Sequence, residues 1–93
     1  MASDYYEKRT EIGILAIRLI AGFWELRLHT EANPRGSQIR SDYSDPAQAA
    51  LDANHADFGI PEFDALFRGI YVPSDLWHWS TCPMQYLTGL ARP

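Results

Sequence analysis

The chain has 93 residues, of which 46% are hydrophobic and 22% charged, values typical of one soluble globular domain and too apolar for a disordered segment. Its formal net charge of -4 leaves no broad basic field for nucleic acid, so we expect no direct nucleic-acid binding. Arg18 and Glu25 interrupt the most apolar stretch before the roughly 20 residues that a membrane helix needs, which predicts no membrane span. The lone cysteine, Cys82, and an N-terminus with charges of both signs favour a cytoplasmic location.

The most apolar part of the chain, Ile12 to Leu28, predicts one long helix over about residues 4–31. Polar residues here recur near the 3.6-residue helical period and define one narrow line, made up of Asp4, Lys8, Glu11, Arg18, Glu25 and His29. Asn33 and Pro34 supply the signal that ends it. The remaining circumference is apolar, so the other residues of the chain, or a second copy, must cover it.

The predicted helix is too long for its own domain. About 26 helical residues span roughly 39 Å, whereas a compact chain of this length has a diameter of about 32 Å. We therefore expect either a bend at Gly13 or Gly22, or an end that projects and packs on a partner. The favoured partner is a second copy, which makes the protein a homodimer across a seam of small and apolar residues, Gly13, Ala16, Ile17, Ile20 and Ala21.

After this helix, residues 33–44 show no helical or strand period and predict a loop. Asp45 followed by Pro46 indicates a capped helix over about 46–58, and Pro61 opens a shorter one over about 61–68. Two further short helices are expected over about 74–80 and 83–88. The sequence thus predicts an all-α fold, a small single-domain helical bundle around one long N-terminal helix, with short C-terminal helices.

Few residues suggest chemistry. Arg35 and Arg40, among small residues of the predicted loop, form a candidate phosphate or nucleotide site, although a solvated loop is the commoner interpretation. His78 and Cys82 are spaced for one helix turn, but zinc needs further ligands that no motif supplies. A Cys82 nucleophile is also disfavoured, because a lone cysteine before proline is more often a buried small hydrophobe. We expect no metal, no cofactor and no enzymatic activity.

Two compositional features favour a binding surface. Six acids and no Lys or Arg lie between Ser41 and Phe67, which predicts an acidic flank able to attract a basic partner. An aromatic cluster follows, in which Trp77 and Trp79 alternate and so cannot both point into a core. The candidate partner-binding residues are Trp77, Trp79, Tyr71, Asp52, Asp57, Glu62 and Asp64.

Three classes of function compete. The favoured one is a small non-enzymatic protein-binding module, an inhibitor or adaptor that acts by occupying a partner's surface. Viral and mobile-element accessory proteins, including anti-defence proteins such as anti-CRISPRs, have this profile, which is an analogy of class and not of motif. The main alternative is an oligomer that binds a small molecule or nucleotide between aromatic rings and Arg35 or Arg40. An enzyme is the third class.

Overall fold

The computed structural model describes residues 5–81, and these form an antiparallel sheet with two short helices instead of the predicted all-α bundle. The five strands are β1 (Tyr5–Thr10), β2 (Gly13–Ile20), β3 (Phe23–His29), β4 (Ser37–Tyr43) and β5 (Ser80–Thr81). Their order in the sheet is β4-β3-β2-β1-β5. The first four strands are therefore a meander, and β5 returns to pair with the free edge of β1.

The predicted helix over residues 4–31 is wrong, because its described part is three strands joined by two tight turns. In β2 the residues of both faces are apolar except Arg18, which hides the alternation that normally identifies a strand. β3 does alternate, with Trp24, Leu26 and Leu28 on one face and Glu25, Arg27 and His29 on the other, which is a strand signal. Two members of the predicted polar line lie together for another reason. Arg18 and Glu25 are seven residues apart in sequence, but they are directly opposite each other in the β2–β3 hairpin.

The homodimer seam predicted on that helix does not exist in this fold. Gly13 lies at the β1–β2 turn, and Ala16 and Ile17, as neighbours on β2, point to opposite faces of the sheet. Ile20 and Ala21 lie at the far end of the β2–β3 hairpin. The geometric argument for a dimer along a helix is thereby removed.

Both helices pack on one face of the sheet, which we call the helix face. The helices are α1 (Pro46–His55) and α2 (Pro61–Phe67). Small side chains let α1 approach the strands closely. Its alanines share one core with apolar residues of β2, β3 and β4 and with two phenylalanines that follow α1. The residues of this core include Leu15, Ile17, Leu26, Leu28, Ile39, Ala49, Ala50, Ala53, Phe58 and Phe67. The predicted start of α1 is confirmed, since the Asp45 carboxylate accepts a hydrogen bond from the Ala47 amide at 2.8 Å.

The remaining predicted elements differ from the structure in type or in length. The predicted loop over 33–44 contains β4, and the helices predicted over 46–58 and 61–68 end earlier than expected, at His55 and Phe67. The helix predicted over 74–80 is a single 3₁₀ turn, Leu76–His78. The helix predicted over 83–88 lies outside the described residues. Among residues 5–81, no helix is long and apolar enough to cross a membrane.

Candidate functional site

The end of the β2–β3 hairpin is an exposed apolar projection, which we call the apolar tip and define as Leu19, Ile20, Ala21, Gly22 and Phe23. Ile20 and Phe23 are directly paired across the turn. They are 39% and 52% exposed, and Leu19 is 41% exposed. Scattered exposed apolar residues are ordinary, but neighbouring ones at the end of one hairpin are a feature of interaction sites.

The turn at this tip carries backbone strain. Ala21 has φ 53° and Gly22 has φ 88°, the pattern of a two-residue type I′ turn. Such turns favour Asn-Gly or Gly-Gly, because a Cβ in the left-handed region costs about 1–2 kcal/mol. An alanine at this position keeps the tip apolar at the expense of stability, and backbone strain of this kind is found preferentially at functional sites.

A buried ionic cluster stands beside the tip. The side chain of Glu25 is only 3% exposed and lies between two guanidinium groups. Arg18 Nε donates to Glu25 Oε1 at 2.8 Å, and Arg27 donates through Nε to Oε1 at 3.1 Å and through Nη2 to Oε2 at 2.9 Å. We call these three residues the arginine–glutamate cluster. Because two cations share one carboxylate, the cluster has a net positive charge.

Opposing effects act on the Glu25 carboxyl group. Burial raises its pKa, but the hydrogen bonds and charges of Arg27 and Arg18 outweigh burial, so the pKa lies below its ordinary value. The same pairing raises the pKa of Arg27. Glu25 and Arg27 therefore stay ionised at neutral pH, and the cluster ties the facing strands β2 and β3 together directly behind the tip.

The tip and the cluster share one surface of the sheet. Side chains two residues apart on a strand point to the same face, which places Ile20 with Arg18 on β2 and Phe23 with Glu25 on β3. This face is opposite the helix face, and we call it the arginine face. Leu19 and Trp24 point to the helix face, where Trp24 packs on Tyr6 with ring centroids 6.0 Å apart. An apolar end followed by paired arginines on one rigid hairpin is suited to binding a protein.

The structure separates the aromatic residues that the sequence proposed for partner binding. Trp79 is 4% exposed and joins the core, with its indole N–H donating to the Pro73 carbonyl at 2.9 Å. Trp77 is 92% exposed and Tyr71 is 76% exposed. The expectation that the two tryptophans cannot both point inward is confirmed, and Trp77 and Tyr71 stay predictions as partner contacts.

The predicted acidic residues fall into two groups. Asp57 and Glu62 are exposed. Asp52 accepts hydrogen bonds from Tyr43 at 2.9 Å and Gln48 at 3.1 Å, and Asp64 accepts one from the Phe58 amide at 2.6 Å. The second pair therefore supports the packing of α1 and of the segment that joins α1 to α2. A role for any of the four in attracting a basic partner stays a prediction.

The candidate nucleotide-binding arginines have different surroundings. Arg35 is exposed, beside the β3–β4 turn. Arg40 donates to Asp42 at 2.9 Å through both Nε and Nη2, and through Nη1 to the Phe58 carbonyl at 3.2 Å. Arg40 also lies 5.0 Å from the centre of the Tyr43 ring, where burial and the Asp52 hydrogen bond raise the pKa of Tyr43. Arg40 thus joins β4 to the helices, and its donors are already in use.

Within residues 5–81, no three His, Cys, Asp or Glu side chains are grouped as metal ligands. A small pocket of about 110 Å³ is lined by Glu7, Arg9, Ile14 and Ser80, far smaller than the clefts that enclose metabolites. Cys82 lies outside the described residues, so the weighed His78–Cys82 pair has no described geometry.

Sequence reasoning missed the apolar tip because it placed Leu19 to Phe23 inside a helix. A usable signal was present, since Ala21-Gly22 stands between two β-branched and aromatic runs, as a hairpin turn does.

Comparisons of the chain with models of protein families, with curated proteins and with solved structures find no match.

Proposed function

We propose that this protein is a small non-enzymatic protein-binding module, an inhibitor or adaptor that acts by occupying a surface of its partner, and that the apolar tip is its main contact. The observation that supports the proposal is the strained apolar turn itself. Ala21 holds a left-handed conformation between two exposed apolar residues that are paired across the hairpin. A turn without a binding role gains stability and solubility from Asn-Gly at this place.

The neighbouring structure makes the tip a rigid contact. The Glu25 carboxylate holds both strands of the hairpin through Arg18 and Arg27, so the tip loses little conformational freedom on binding. Such preorganisation favours affinity. Trp77 and Tyr71 form a second candidate contact, which belongs to the same proposed function and is tested alongside the tip.

Site-specific photo-crosslinking in cells tests the proposal. A photoreactive phenylalanine analogue replaces Phe23, Trp77 or, as a control on the exposed side of β4, Ser41. We expect a discrete cross-linked protein from position 23, and none from position 41 after the same irradiation. Cross-linking from position 77 but not from position 23 would move the contact to Trp77. Equal, diffuse products from all three positions would reject the proposal.

A further inference from the structure

We propose that the partner presents a carboxylate to Arg18, beside an apolar pocket that receives the tip. The inference rests on the proposed function and adds the chemistry of the partner's surface. It is carried by a geometric observation on residues 5–81, in which the two terminal nitrogens of a partly buried guanidinium group directly behind the tip have no acceptor.

Arg18 uses only part of its hydrogen-bonding capacity. Its Nε donates to Glu25 Oε1 at 2.8 Å, and among residues 5–81 its two terminal nitrogens have no hydrogen-bond partner. Arg27, by contrast, donates to Glu25 and also to the Gly36 carbonyl at 3.0 Å. No group within residues 5–81 therefore accepts from the outer fork of N–H donors of Arg18, and the geometry of this fork matches a carboxylate.

The surroundings of Arg18 make it ready for an anionic ligand. Its side chain is 25% exposed, so a ligand can reach it, while the rest of the side chain is covered. Glu25 accepts hydrogen bonds from both guanidinium groups and balances one of their two charges, so the three residues of the cluster keep a net positive charge. Contacts between partly desolvated charges are stronger than those on an open surface.

Arg18 lies close enough to the tip for one partner to contact both. It precedes Ile20 by two residues on the same strand and face, a separation of about 7 Å along β2. Phe23 is directly opposite Ile20 on β3. A pocket of the partner that encloses Ile20 and Phe23 thus has its rim beside Arg18. The rim of a protein interface is polar, so a charged contact is expected there.

The same features favour a protein over a membrane as the partner that binds the apolar tip. The tip offers three partly exposed large side chains, less apolar surface than a single myristoyl chain, which itself gives only marginal membrane binding of about 10⁴ M⁻¹. The net charge of -4 also opposes approach to an anionic leaflet. A protein pocket encloses the tip and adds contacts around its rim.

A zero-length coupling reaction tests the inference with the protein cross-linked from position 23 as the probe. Arg18→Lys places a primary amine at this position, and a carbodiimide joins an amine to a carboxylate only when the two are in contact. We expect a covalent complex with Arg18→Lys and none with Arg9→Lys. Arg9 is a suitable control, since it is exposed and pairs with Ile14, about 20 Å along β2 from Ile20.

Affinity measurements give a second readout. Arg18→Gln should weaken binding about tenfold, which corresponds to the loss of one charged hydrogen-bonded contact. It should also flatten the dependence of affinity on salt, whereas Arg9→Gln should change affinity by less than about twofold. If Arg18→Gln does not fold, the coupling of Arg18→Lys and the salt dependence of the wild type decide the question.

The outcomes separate the two proposals. A partner whose binding needs Phe23, but which neither couples to Arg18→Lys nor responds to Arg18→Gln, overturns this inference and leaves the proposed function standing. Absence of any protein cross-linked from position 23 overturns this inference, and it overturns the proposed function as well when position 77 also yields no cross-linked protein. Sedimentation of the chain with vesicles of phosphatidylcholine and phosphatidylserine, lost in Phe23→Ser, would overturn the inference in favour of a lipid surface.

Discussion

Removal of the Glu25 carboxylate should cost more stability than any other single change in the arginine–glutamate cluster. Breaking a fully buried ion pair costs about 3–5 kcal/mol. Arg18 and Arg27 are 25% and 22% exposed, so water reaches them once their partner is gone, and this lowers the expected loss. We therefore expect Glu25→Ala to reduce the free energy of unfolding by about 3 kcal/mol. Arg18→Leu leaves Glu25 paired with Arg27 and should cost less, about 1–2 kcal/mol.

The contribution of Glu25 should depend on pH in a defined direction. Its pKa in the folded protein lies below the ordinary value of 4.5, so its stabilising effect is complete above pH 4.5 and is lost as the pH falls through the folded-state pKa. The difference in unfolding free energy between the wild type and Glu25→Gln should therefore shrink in acid. Urea unfolding at a series of pH values measures it. A difference that stays constant down to the acid transition, or a loss below about 1 kcal/mol for Glu25→Ala, would refute the reasoning.

Three further predictions concern the backbone and are checked by urea unfolding. Gly13→Ala should prevent folding, because its Cβ would lie 2.2 Å from the His29 carbonyl oxygen. In the control Gly69→Ala the new Cβ meets no atom within 4 Å, so this variant should cost only about 1 kcal/mol. Similar losses of stability in the two variants would contradict this prediction. Ala21→Gly should raise stability by about 0.5–1 kcal/mol by relieving the left-handed strain, and a loss would show that no strain is present. Asp45→Ala should lower stability by about 1 kcal/mol through loss of the α1 cap, and an unchanged value would mean that the cap contributes nothing.

Local signals predicted well where each of the two helices begins. Asp45 caps α1, and Pro46 and Pro61 each open a helix. These signals act within a few residues, so a sequence shows them directly. The ends were less accurate, since Ala56 ends α1 in a left-handed conformation that the sequence does not announce with glycine.

The sheet could not be obtained in the same way. Whether Ile14 and Ile17 lie on a helix or a strand depends on partners elsewhere in the chain, and both faces of β2 are apolar enough to satisfy either period. The length of the predicted helix was itself evidence against a straight helix inside the fold. A helix of roughly 39 Å exceeds every dimension of the folded protein, which measures 32 × 30 × 23 Å.

The candidate site was only partly predictable. Arg18 and Glu25 both belong to the polar line of the predicted helix, and the structure pairs them. The geometry differs, because the pair is formed across two strands and not along a helix. The apolar tip depends on the turn at Ala21 and Gly22, so it could not be recognised while the region was assigned to a helix.

The most direct test of the central claim is the affinity of the full chain for the partner identified from position 23. Replacing both Ile20 and Phe23 by serine removes apolar surface worth about 2 kcal/mol on binding, which predicts a loss of roughly thirtyfold. Replacing Leu51 and Leu66, exposed apolar residues of α1 and α2, by serine is the matched control and should leave affinity within about twofold. Wild-type affinity in the tip variant, with the control variant impaired, would contradict the account.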